Sequence, residues 1–72
     1  MSPRLPAGSG RETARALEKA GYAEISQRGS HLKLRRHNRT VIVPLHRELA
    51  PGTLRSVLRQ PDLTVEQFTE LL

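Results

Sequence analysis

Three histidines, His31, His37 and His46, are the side chains in this sequence best suited to moving a proton, since an imidazole ordinarily exchanges one near neutral pH. They stand six and nine residues apart, and neither gap matches a helical metal pair such as H-E-x-x-H. The seven carboxylates are scattered, without the acidic cluster that gathers the ions of a two-metal nuclease. The G-S-G-R stretch from Gly8 to Arg11 lacks both the preceding strand and the Lys-Ser/Thr ending of a phosphate loop, and no elbow motif or acid partner accompanies Ser30. What remains is metal-free acid–base chemistry, for which His31 is the strongest candidate. His31, Lys33 and Arg35 recur with a period of two, and Arg28 lies just across a Gly-Ser turn. An imidazole so placed is equipped to take a proton from a ribose 2′-hydroxyl or give one to a leaving 5′-oxygen, while the cations neutralise phosphate. The competing reading is a solvated histidine on a polar sheet face, with Lys33 and Arg35 as strand charges that deter aggregation. His37 and His46 read as ordinary loop residues.

Those side chains need strands to hold them. From Tyr22 onward, β-branched and aliphatic residues alternate with polar ones, predicting strands over 22–28, 31–36 and 39–44. Gly29-Ser30 fits a two-residue hairpin turn, which pairs Arg28 with His31, Gln27 with Leu32, Ile25 with Leu34 and Glu24 with Arg35. That register sets Ile25, Leu32 and Leu34 on one face, and Glu24, Ser26, Arg28, His31, Lys33 and Arg35 on the other. A turn at His37-Asn38 brings Val41 and Val43 onto the apolar face, and Pro44 closes the third strand.

Helices complete the chain. Ser9-Gly10-Arg11-Glu12 has the S-x-x-E spacing of a capping box and opens a helix over 10–20, with Thr13, Ala16, Leu17 and Ala20 inward and Gly21 ending it. Its opposite side carries Arg11, Arg15 and Lys19 at intervals of four. Pro51 starts a second helix with Leu54, Val57 and Leu58 inward, and Pro61 stops it. Thr64 caps a last helix that turns Val65, Phe68, Leu71 and Leu72 inward. The expected fold is α+β: a two-layer α-β-β-β-α-α domain over residues 9–72, with helices on one face of a three-stranded antiparallel sheet and a loose leader over 1–8.

Composition narrows the function classes. Seventy-two residues without cysteine exclude disulfides, thiolate nucleophiles, zinc fingers and iron–sulfur clusters, and fit a reducing compartment, with the cytoplasm as the expected address. The longest apolar run, Val41 to Val43, is far short of the ~20 residues that span a bilayer, so no membrane association is expected. The net charge of +5 is polarised: the first 60 residues hold 12 bases against four acids, and the rest carry only acids. Between Arg28 and Arg39 there are five bases, two histidines and no acid, a stripe suited to a phosphate backbone.

Four segments carry a resemblance. Gln27 to His31 (QRGSH), Val43 to His46 (VPLH), Leu49 to Gln60 (LAPGTLRSVLRQ) and Leu63 to Phe68 (LTVEQF), in that order over nearly the whole chain, closely resemble the HicA family of toxin ribonucleases. The resemblance implies a fold like the double-stranded RNA-binding domain, an mRNA interferase activity and a place as the toxin of a toxin–antitoxin pair. It sets the family's catalytic histidine on His31 and implies a HicB-type antitoxin as partner. Strand geometry, not the family, nominates Arg28, Gly29, Ser30, Lys33, Arg35 and Arg36 as RNA contacts. No metal or other cofactor is expected. The rival readings are a noncatalytic double-stranded RNA-binding module on the same basic face and a DNA-binding regulator with a basic helix in the major groove.

Overall fold

The structure, a computed structural model, describes residues 8–72. Its order is α1 (Gly10–Lys19), β1 (Ala23–Arg28), β2 (His31–Arg36), β3 (Arg39–Pro44), α2 (Pro51–Arg59) and α3 (Val65–Leu71). All but Gly8 of the expected leader lies outside the described residues, and the Gly8 carbonyl accepts a bond from the Leu49 amide at 3.0 Å. The sheet is antiparallel in the order β1-β2-β3, so the strand that carries His31 is central.

Local chemistry accounts for each helix end. The Ser9 hydroxyl accepts from the Glu12 amide at 3.0 Å, and the Glu12 carboxylate accepts from the Ser9 amide at 3.2 Å, closing the capping box. Thr64 and Gln67 make the same reciprocal pair ahead of α3, at 3.0 and 3.1 Å. α1 ends one residue earlier than the spacing predicts, with Ala20 as its cap and Gly21 at φ 99°, a left-handed position that favours glycine. Pro51 opens α2, where its absent amide leaves no bond unmade.

Two clusters form the core. Ala14, Leu17, Tyr22, Leu32, Leu34, Val41, Val43 and Val57 pack between the sheet and the helices, while Ala16, Leu49, Leu54, Leu58 and Phe68 pack among the helices. Both aromatic residues are thus interior. Ala14 joins the buried stripe of α1 beside Thr13, Ala16 and Leu17, whereas Ala20 is only partly covered. Leu72, expected inward, is 50% exposed, one position past the end of α3.

The register of β1 departs from expectation at one point. Arg28 pairs with His31 and Gln27 with Leu32, as the turn dictates, but the ladder shifts between Glu24 and Ser26, so Glu24 pairs with Leu34 and Ala23 with Arg35. One extra residue in one strand moves everything beyond it to the other face. Ile25, expected inward, is therefore 50% exposed, and all six β1 residues are exposed. Glu24, expected opposite Arg35 on the open face, instead shares Leu34's side of the sheet and meets Arg11 of α1 at 3.6 Å.

β3 lies at the other edge and is partly covered. The Gln60 side chain accepts from the Ile42 amide at 2.8 Å and donates to the Ile42 carbonyl at 3.2 Å, so one carboxamide stands in for a neighbouring strand. Ile42 thus turns both backbone groups away from β2, and Pro44, two residues on, has its nitrogen on that same outer side. The proline removes no ladder bond, as the sequence implied. The ladder even runs past it, with the Leu45 amide donating to the Ser30 carbonyl at 2.6 Å.

Candidate active site on the open sheet face

The Gly29-Ser30 turn places the site. Gly29 has φ 55°, and its carbonyl accepts from the Gln27 carboxamide at 3.0 Å. A positive φ at the first turn position suits the twist of two paired strands and sets Arg28 directly opposite His31. Across β2 the rows then read Arg28, His31, Pro44 and Ser26, Lys33, Ile42. Alternation sends Leu32 and Leu34 into the core and leaves His31, Lys33 and Arg35 exposed on the opposite face.

Ser26, Arg28, His31, Lys33 and Ile42 line one concavity of about 390 Å³ on that face. The lining holds an imidazole, a guanidinium, an ammonium and a hydroxyl, and among the described residues no carboxylate. Among those residues the one ion pair is Arg11 with Glu24, between side chains about half exposed and on the other side of the sheet. The bulge that moves Glu24 away thus leaves the cations around His31 free for an anionic ligand. Two smaller hollows on the helical side, one lined by Arg15, Lys19 and Leu72 and one by Arg55, Arg59 and Leu63, hold no histidine.

The residues nominated from sequence divide between the cavity and its surroundings. Arg28, His31 and Lys33 meet in the cavity, and Gly29 and Ser30 form the turn at its end, with the Ser30 carbonyl tied to Leu45. Arg35 lies one step further along the same face, and its Nε donates to the His37 carbonyl at 2.6 Å, so part of its guanidinium is committed to the next turn. Arg36 points to the other side, where its guanidinium lies against Gly21, about 3.3 Å from where a β-carbon there would stand. His37 occupies that second turn with φ 54°, and the His46 carbonyl accepts from the Gly10 amide at 2.9 Å, so neither joins His31. Among the described residues no three His, Asp or Glu side chains gather as metal ligands.

Ser26 and Ile42 are lining residues the sequence reasoning did not nominate. The signal for Ile42 was available, since a strand that turns Val41 and Val43 inward must turn Ile42 outward.

Fold and face together define a class: a small α+β domain whose exposed sheet face holds one imidazole among cations. Residues 10–63 match the profile of the HicA toxin family of bacterial toxin–antitoxin systems, and the chain belongs to that family. The matched stretch contains α1, the whole sheet, α2 and every residue of the cavity. Its membership makes the chain a toxin that works opposite an antitoxin. A comparison with curated proteins finds no match.

Proposed function

We propose that this toxin is a metal-independent endoribonuclease that cuts mRNA, with His31 as its proton-transfer group. The observation that carries the reading is the single cavity in which His31 stands between Arg28 and Lys33 with no acid in the lining. His31 accepts the proton of a ribose 2′-hydroxyl, and the freed oxygen attacks the adjacent phosphorus. The bond from phosphorus to the 5′-oxygen breaks as the new bond forms, and the leaving oxygen takes a proton from water. Arg28 and Lys33 neutralise the charge that builds on the phosphoryl oxygens. Gly29 and Ser30 keep the turn that holds Arg28 against His31, while Arg35 extends cationic surface for RNA beyond the cavity; Arg36, on the other side of the sheet against Gly21, has no part in that surface. The products are a 2′,3′-cyclic phosphate and a 5′-hydroxyl.

The antitoxin is of the HicB type and silences the toxin by presenting acidic groups to this cationic face. The site of action is the cytoplasm, where mRNA is translated; among the described residues no helix is long and apolar enough to cross a membrane. The purified chain incubated with mRNA in excess chelator tests the proposal. Fragments with cyclic phosphate ends are expected. Intact RNA, with tight binding to a duplex, supports instead a noncatalytic double-stranded RNA-binding module.

A further inference from the structure

The cavity has one wall that phosphate chemistry does not need. Ile42, half-buried in the middle of β3, is the apolar member of the lining, and the rest of it is polar or charged. A β-branched hydrocarbon exposed beside Lys33 gains nothing from water, and it contributes nothing to binding a phosphate. Proteins that bind single-stranded nucleic acid usually give each base an aromatic side chain to stack on, but Tyr22 and Phe68 are both in the core. The open face therefore offers a base only an aliphatic surface, with Pro44 extending it beside His31.

We propose that the cavity seats one unpaired nucleotide, its base lying against Ile42 and its edge meeting the Ser26 hydroxyl, with the phosphate between Arg28 and Lys33. This rests on the ribonuclease reading and adds that the substrate is single-stranded at the cut. The rows of the sheet support the arrangement. Ser26, Lys33 and Ile42 lie side by side across three strands, so a hydroxyl that both donates and accepts, a cation and an apolar surface share one row. His31 and Arg28 lie in the next row, beside the ribose and phosphate of the same nucleotide. A volume of about 390 Å³ falls at the lower end of small-ligand pockets, which run from about 300 to 1,000 Å³. It suits one nucleotide rather than a duplex groove. The backbone of Ile42, held by both ends of the Gln60 carboxamide, fixes the platform.

The test measures binding apart from cleavage. Short 2′-fluoro RNA strands, which lack the attacking hydroxyl, are titrated against the full chain, each strand carrying an abasic site at a different position. One position is expected to weaken binding about tenfold when its base is missing. In Ile42→Thr, which keeps a β-branched strand residue, that penalty disappears while salt-sensitive backbone binding persists. If Ile42→Thr does not fold, Ile42→Val is expected to show a reduced penalty. Equal loss at every abasic position in the parent, or an undiminished penalty in the variant that folds, overturns the proposal. The ribonuclease reading fails separately, if the parent binds with this base dependence yet leaves ordinary RNA intact.

Discussion

Gly10 makes a case that composition alone does not reveal. It opens α1 where the helix crosses the end of β3, and a β-carbon there would overlap the Pro44 carbonyl oxygen and come within 2.8 Å of the Leu45 Cα. The obstacle is backbone on both counts and has no rotamer to escape into. Gly10→Ala is therefore expected to destabilise the fold by about 3 kcal/mol or more, read as a lowered midpoint of thermal unfolding. His37 gives the opposite expectation. At φ 54° it holds a left-handed conformation that costs an L-residue about 1 kcal/mol or more, so His37→Gly should leave stability equal or raise it by about 0.5 kcal/mol with RNA cleavage unchanged. His31 and its cationic neighbours were readable in the sequence because turn chemistry and alternation are local. Gly10 was not, since its constraint comes from a strand more than thirty residues away.

At the level of strands and helices, the sequence foretold six elements in order but not the slip in β1. Alternation through Glu24-Ile25-Ser26 is regular, so nothing local announces an extra residue. The shift shows only when the sheet meets α1, with Tyr22 buried beneath it and Glu24 turned to Arg11. That ion pair is about half exposed on both sides and should contribute little, so Arg11→Ala is expected to cost less than about 1 kcal/mol. The slip's consequence is electrostatic: it removes the one acid that the straight register would have set on the cationic face. A bulged edge strand also resists pairing with another sheet. The opposite edge depends on a side chain. Gln60→Ala removes two hydrogen bonds to Ile42 and is expected to cost about 1 to 2 kcal/mol in denaturant titration. Gln60→Glu keeps an acceptor for the Ile42 amide but sets a carboxylate against its carbonyl, so it should not restore stability.

Taken whole, the molecule separates its tasks by face. The helices and the inner face of the sheet together form the core, and the open sheet face carries the cations around His31. Part of that division was implied by the sequence, where the stretch from Arg28 to Arg39 holds five bases and no acid and the last twelve residues hold acids and no base. Family membership adds the biological setting, a toxin held by an antitoxin. If cations on the sheet face neutralise phosphates, RNA affinity must fall with salt. For single strands each neutralised phosphate contributes about −0.7 to the slope of log affinity against log salt, so Lys33→Gln should make the slope shallower by about that amount. An unchanged slope would place Lys33 outside the RNA contact.

The central claim concerns one ring. Parent and His31→Ala, each confirmed folded by its thermal transition, are compared on a labelled RNA in the presence of chelator. Loss of a general base predicts a cleavage rate lower by about 10² to 10⁴ in the variant, with its unfolding midpoint little changed. A folded His31→Ala chain that cuts as fast as the parent would contradict the account.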